Sequence, residues 1–172
     1  MGMLFASGLE MLLDGQLRFT RGGLQCFLRA QNFANQGDFQ EVGVPFAPTG
    51  TDAAQTGYTD ILIDPPPAVT AISTHDIGLS GGKLMFGARK FLISDTFVSN
   101  MMQQYPGIVD PYDVFRNWDG QTPVIGIIYD NRMFSIEDIM PRELAGQRIS
   151  WTIKANYIET FIPDPAGEQS QP

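Results

Sequence analysis

The sharpest periodicity lies toward the C-terminal end of the chain. Ile149, Trp151, Ile153, Ala155 and Tyr157 alternate with Ser150, Thr152, Lys154 and Asn156. A period of two marks a strand with one buried face. Upstream, Val124 to Tyr129 is almost continuously apolar apart from Gly126, the signature of a buried strand. Asp130 and Asn131 follow, two residues that tolerate positive φ as a type I′ hairpin turn requires. Arg132 to Ile136 then returns as the second strand, and Pro141 to Gln147 reads as a further turn before the last strand.

Helical spacing is clearest at Phe97, Val98, Met101, Met102 and Tyr105, which share one face. Ser94 or Asp95 can cap this helix and Pro106 stops it. A shorter helix is expected from Pro111 to Trp118, with Pro111 in its first turn and Tyr112, Phe115 and Trp118 on one face. The N-terminal part is less decided. Residues 3–13 fit a helix or a strand, and Arg18 to Phe33 reads as a strand pair: Gln16 to Phe19, a Gly22-Gly23 turn, then Leu24 to Ala30.

Asp60 to Asp64 is a short apolar run ending at Pro65-Pro66-Pro67, which favours an extended path. Val69 to Ile72 resumes as an edge strand, Gly78 to Gly82 turns, and Lys83 to Ile93 is the next strand, anchored by Phe86, Phe91 and Ile93. Residues 31–59 form a long, low-charge stretch without helical periodicity, a candidate contact arm. Residues 163–172, rich in Pro, Gly, Gln and Ser, read as a disordered tail. The expected fold is mainly β, a small β-barrel or sandwich with one or two short helices and a long loop, with α+β as the minor alternative. Residues 1–162 would form a single β-rich domain.

Composition narrows the function classes. The 172 residues are 43% hydrophobic and 17% charged, with 18 Gly and 12 Pro, which fits one globular domain of strands and turns rather than a disordered chain or a helical bundle. The net charge of -8 repels phosphate and argues against a dedicated nucleic-acid reader. Arg18, Arg21 and Arg29 are the nearest approach to a basic cluster, and against 19 acidic residues they read as solvated or interface arginines. The one cysteine, Cys26, excludes an intrachain disulfide and sits among apolar neighbours as a buried small hydrophobe. Met1 to Leu13 has no basic start and is interrupted by Gly8 and Glu10, a poor signal peptide. No apolar run reaches the roughly 18 residues of a membrane span. The expectation is a soluble protein made in a cytoplasm.

Candidate chemistry is sparse. His75, the single histidine, precedes Asp76, a pair that can bind metal or orient a base. Asp60 and Asp64 are the carboxylates nearest in sequence, and Ser73, Ser80 and Ser94 are formal nucleophiles, though none sits in a Gly-x-Ser-x-Gly elbow. Gly78 to Lys83 fails as a phosphate loop, because Ile77 occupies the required glycine and Leu84 the Ser/Thr position. Asp110, Asp113 and Asp119 do not follow a calcium-loop spacing. Glu137-Asp138 is an adjacent carboxylate pair after the hairpin. The expectation is a protein without catalytic residues, cofactor or metal, and not an enzyme. Two other classes stay in view: a carbohydrate- or host-surface-binding sandwich using Trp118, Tyr112 and Tyr129 as a platform, and, last, a hydrolase built on His75 and Asp76.

Pro123 to Tyr157 as a whole, with its Tyr129-Asp130-Asn131-Arg132 turn, Phe134-Ser135-Ile136 return and amphipathic final strand, resembles the closing portion of the small β-barrel neck proteins of tailed bacteriophages. These are the head-completion, stopper and head–tail adaptor proteins. The resemblance covers about the last third of the chain. It implies a structural virion protein, made in the host cytoplasm, that forms a homo-oligomeric ring at the head–tail junction. Its partners would be portal or adaptor and tail proteins. DNA would pass nearby without sequence-specific contact, which an acidic lining suits. The stretch 31–59 resembles the extended loops by which such proteins reach their neighbours. The helix at 95–105 and the Pro65–Pro67 bend have no place in that pattern, so a tail or baseplate component is the alternative.

Overall fold

The computed structural model describes residues 2–20, 25–31, 58–120 and 122–158. The proposed contact arm, apart from its ends, the Gly22-Gly23 turn and the 163–172 tail lie outside the described residues. Helix α1 (Gly2–Thr20) precedes strands β1 (Cys26–Gln31), β2 (Tyr58–Leu62) and β3 (Ala68–Ala71). Helix α2 (Thr74–Leu79), strand β4 (Arg89–Ser94) and helix α3 (Asp95–Gln104) follow. A 3-10 turn (Pro111–Phe115) and the short β5 (Asn117–Trp118) lead to β6 (Thr122–Tyr129), β7 (Arg132–Leu144) and β8 (Gln147–Ile158). The fold is mainly β, as the periodicity predicts.

All strand pairs are antiparallel, in the order β2-β1-β6-β7-β8-β4-β3, with β5 on β6. The sheet curls into a half-barrel. Its two edges, β2 and β3, are consecutive in the chain and separated by residues 63–67 alone. Five residues span less than about 20 Å even when extended, so the edges must approach one another. Ile63, Pro65 and Pro67 are buried in that gap, and the Ile63 amide donates to the Cys26 carbonyl at 2.9 Å. The Asp64–Pro65 peptide is cis. The expected edge strand after the prolines is present as β3.

The core is built around β4 and β8. Phe91 and Ile93 from β4 meet Trp151, Ile153 and Ala155 from β8, all fully buried. Phe97, Val98 and Met101 from α3 and Val114 and Phe115 from the 3-10 turn pack onto them. Ser94 caps α3, accepting from the Thr96 amide at 3.2 Å, as the sequence predicts. Cys26 is buried on β1. The Asp130-Asn131 turn has φ of 53° and 54°, the left-handed pair of a type I′ hairpin.

Several expectations are corrected. Gln16 to Phe19 is the last part of α1, not a strand, and residues 3–13 are helical with it. The strand placed at Lys83 to Ile93 begins only at Arg89; 83–88 is a turn-rich segment held over the sheet. The Gly78–Gly82 turn starts inside α2. The second helix is 3-10 and ends at Phe115, with Trp118 in β5. Gln31, Tyr58 and Thr59 belong to strands, so the loop is shorter than 31–59 at both ends. Pro141 to Leu144 continues β7, and the turn narrows to Ala145-Gly146 at φ 51° and 77°. Proline can sit in β7 because Pro141 pairs with Trp151 on one side and, among the described residues, with no strand on the other.

Candidate functional site

The residues singled out for chemistry do not converge. Ser73 is the N-cap of α2, accepting from the Asp76 amide at 3.1 Å and donating to the Asp76 carboxylate at 2.8 Å. Asp76 is thus engaged in capping, and His75 is exposed in the first turn. Asp60 and Asp64 each face an arginine: Asp60 receives both Nε and Nη2 of Arg29 at 2.7 Å, and Asp64 receives Arg18 at 3.1 Å. The Asp60 hydrogen bonds hold the Arg29 guanidinium above its ordinary pKa, against the burial that opposes them. Arg21 lies outside the described residues, and Arg18 and Arg29 are consumed in these pairs. Among the described residues no three His, Cys, Asp or Glu side chains are placed to hold a metal ion.

The aromatic platform is also dismantled. Trp118 is 3% exposed, stacked on Tyr105 at 5.3 Å, with its indole N–H donating to the Val114 carbonyl. Tyr112 meets Trp151 edge-on, and Tyr129 packs against Phe91 and Phe134. These rings serve the core from separate elements.

Glu137 and Asp138 line a cleft of about 380 Å³ with Arg116, Ser135 and the apolar side chains of Phe115 and Ile139. The cleft exists because β6 and β7 pair only at Ile127–Tyr129 and then diverge, with a bulge between Ile136 and Asp138. Gly126 sits at the parting point, where a Cβ would fall 2.2 Å from the Phe134 carbonyl oxygen. Asp138 lies 3.6 Å from Lys154.

The most distinctive surface belongs to α1. At 3.6 residues per turn, Glu10, Leu13, Asp14 and Leu17 share one side, and Gly8, Leu12, Gly15 and Phe19 lie opposite. The side turned to the body is the one with the carboxylates. Ser94 Oγ donates to Asp14 Oδ1, and the Thr96 hydroxyl lies 2.7 Å from Asp14 Oδ2 and 3.1 Å from Glu10 Oε1. Leu17 is buried. The side turned away is apolar: Met11 is 76% exposed, Leu12 67% and Phe19 91%. A Cβ added at Gly8 or Gly15 would meet nothing.

This arrangement places the charge of two carboxylates beside the N-terminus of α3, where the helix dipole and the cap favour it. Asp95, the first residue of α3, adds a third. It accepts from the Trp151 indole at 2.7 Å and lies 4.0 Å from Arg148. Burial pushes the Glu10 carboxyl above its ordinary pKa; the Thr96 hydrogen bond opposes this, and the charges of Asp95 and Asp14 reinforce it.

A second apolar patch lies in the segment before β4. Leu79, Met85 (62%) and Phe86 (82%) are exposed. The segment is tethered by Asn156, which accepts from the Met85 amide at 2.8 Å and donates to the Lys83 carbonyl at 2.7 Å. Ser150, Thr152 and Asn156, on the polar side of β8, are buried as its apolar side is, so the expectation of one buried face is corrected. The polarity of α1 has a sequence signal in the spacing of Glu10, Asp14 and Leu17. Two glycines and the lack of an acidic first turn leave that signal undeveloped. Among the described residues no helix is long and apolar enough to cross a membrane. No family model matches the chain, and no curated protein and no solved structure matches it either.

Proposed function

We propose that the chain is a structural virion subunit that assembles by protein–protein interfaces into a ring at the head–tail junction of a tailed bacteriophage, where DNA passes without being gripped. The observation that carries the assembly reading is the reversed polarity of α1. A helix that turns carboxylates to its own body and leaves Met11, Leu12 and Phe19 in water is expected to be covered by another surface. The placement at a phage neck rests on the resemblance of Pro123 to Tyr157, whose hairpin and final amphipathic strand form β6 to β8. The charge of -8 suits a wall beside DNA.

The carbohydrate-platform alternative loses support from the burial of Trp118, and a His75 hydrolase from the engagement of Asp76 with Ser73. The test is the mass of the purified protein by light scattering, alone and with portal or tail preparations. The expected result is a multimer, or a monomer recruited by one of those preparations. A tail-only partner would move the protein to the tail or baseplate, and a strict monomer that joins neither would overturn the reading.

A further inference from the structure

Strand β7 outruns its neighbour β6. The two pair only through Arg132, Met133 and Phe134 of β7, whereas the ladder with β8 continues to Leu144. From Ser135 onward, among the described residues, the main-chain groups on the β6 side of β7 meet no strand. The cleft of about 380 Å³ opens at that place, with Ser135 to Ile139 as one wall and Arg116, Val124 and Ile125 as the other. The second wall is tied together by the Val124 amide, which donates to the Arg116 carbonyl at 2.8 Å. Phe115 belongs to the core and Val124, Ile136 and Ile139 pack against it, so the floor of the cleft is apolar. Arg116 and Glu137 are exposed at its rim. Pro141 ends the open run, because it brings no N–H to a ladder.

The dimensions name the occupant. The stretch from Ser135 to Ile139 is about 16 Å long at 3.3 Å per residue. A volume of 380 Å³ over that length leaves a section about 4.8 Å on a side, which is the distance between neighbouring strands. One extended main chain fits this space, and the unpaired amides and carbonyls of a strand edge are the groups that such a chain engages. The edge strand of a second copy's sheet does not fit, because the wall at Arg116 and Val124 stands where the next strand of that sheet would run. We propose that the cleft is a peptide-binding site, in which an extended segment of another protein adds a strand to β7 along Ser135 to Ile139. The two-residue alternation of the bound strand sets apolar side chains on the floor and polar ones at the rim. This inference goes beyond the assembly reading above and does not depend on it.

The probe is a pentapeptide, Thr-Val-Thr-Val-Thr amide with a fluorophore at its amino end, added to the full chain. Fluorescence anisotropy should show saturable binding. Amide exchange should slow within Ser135 to Ile139 and stay unchanged in β2 and β3, the two outer edges of the sheet. Two further peptides keep every side chain and lose main-chain donors, one N-methylated at the valines and one at the threonines. The peptide whose missing donors faced β7 should bind at least about tenfold more weakly. Equal binding of all three peptides would mean recognition by side chains alone and would overturn the proposal. Slowed exchange at β2 or β3 instead of β7, or no binding of the parent peptide, would overturn it too. So would amides of Ser135 to Ile139 that all resist exchange in the free chain, since the cleft would then be filled by the chain itself or by a second copy.

Discussion

Helices α1 and α3 meet at Ser94 and bury opposite kinds of side chain. Helix α3 buries Phe97, Val98 and Met101 and turns Ser99 and Asn100 to water, the ordinary amphipathic arrangement. Helix α1 turns Glu10 and Asp14 to the body and holds Met11, Leu12 and Phe19 away from it. The first is fastened by apolar burial and its loss would open the core. The second is held by hydroxyl–carboxylate hydrogen bonds at the N-terminus of its neighbour, by Leu17 and by the exposed Arg18–Asp64 pair. Their contrast separates an element that makes the domain from one the domain displays.

The contrast is hardest hit by truncation inside α3. Phe97→Ala removes a buried ring and should cost about 3–5 kcal/mol, read from urea unfolding. The same truncation of exposed Phe19 in α1 should leave the midpoint almost unchanged. Ser94→Ala comes next. It removes the α3 cap and the donor to Asp14 together, for about 2 kcal/mol. Amide exchange should accelerate more in α1 than in β8; equal acceleration in both would mean that α1 is not separately fastened.

Glu10→Gln should act in the opposite direction and more weakly. The folded-state pKa of Glu10 is raised, so the native protein binds its proton more tightly than the unfolded chain does. The ionised form therefore costs stability above the ordinary carboxylate range, and that cost disappears as pH falls through the raised value. Glu10→Gln keeps an oxygen for Thr96 and should stabilise the fold at pH 7. The gain should be below about 1 kcal/mol because Glu10 is only half-buried and solvent screens its charge. Thermal melts of both proteins should converge in acid, and a constant offset at every pH would contradict this account. The smallest effect on folding is expected from Leu12→Ser, within about 0.5 kcal/mol. On the assembly proposed above, its consequence should be in sedimentation, where association of the chain is lost.

Much of the β-core was legible. The alternation from Ile149 to Tyr157 became β8, and Asp130-Asn131 became a type I′ turn because both residue types accept positive φ. The sequence pattern sets the second hairpin turn too early, at Pro141 rather than at Ala145-Gly146. Pro141 suggested a break, while Ala145 adopts the left-handed conformation that its side chain disfavours, so only Gly146 signalled the true turn. The α1 surface was not legible. Glu10 and Asp14 look like solvent-facing residues until Ser94 and Thr96, some 80 residues later in the chain, are brought beside them.

Local sequence thus specified the elements whose pattern is repeated at short range: α3 with its Ser94 cap, the β6–β7 turn and the alternating β8. Period and cap chemistry act between residues a few positions apart, so no folded context is needed to read them. The fold itself had to specify which side of α1 faces inward, that both faces of β8 are covered, and that β2 and β3 close toward each other across residues 63–67. Each of these depends on partners distant in sequence, whose hydrogen bonds and burial exist only once the sheet has curled.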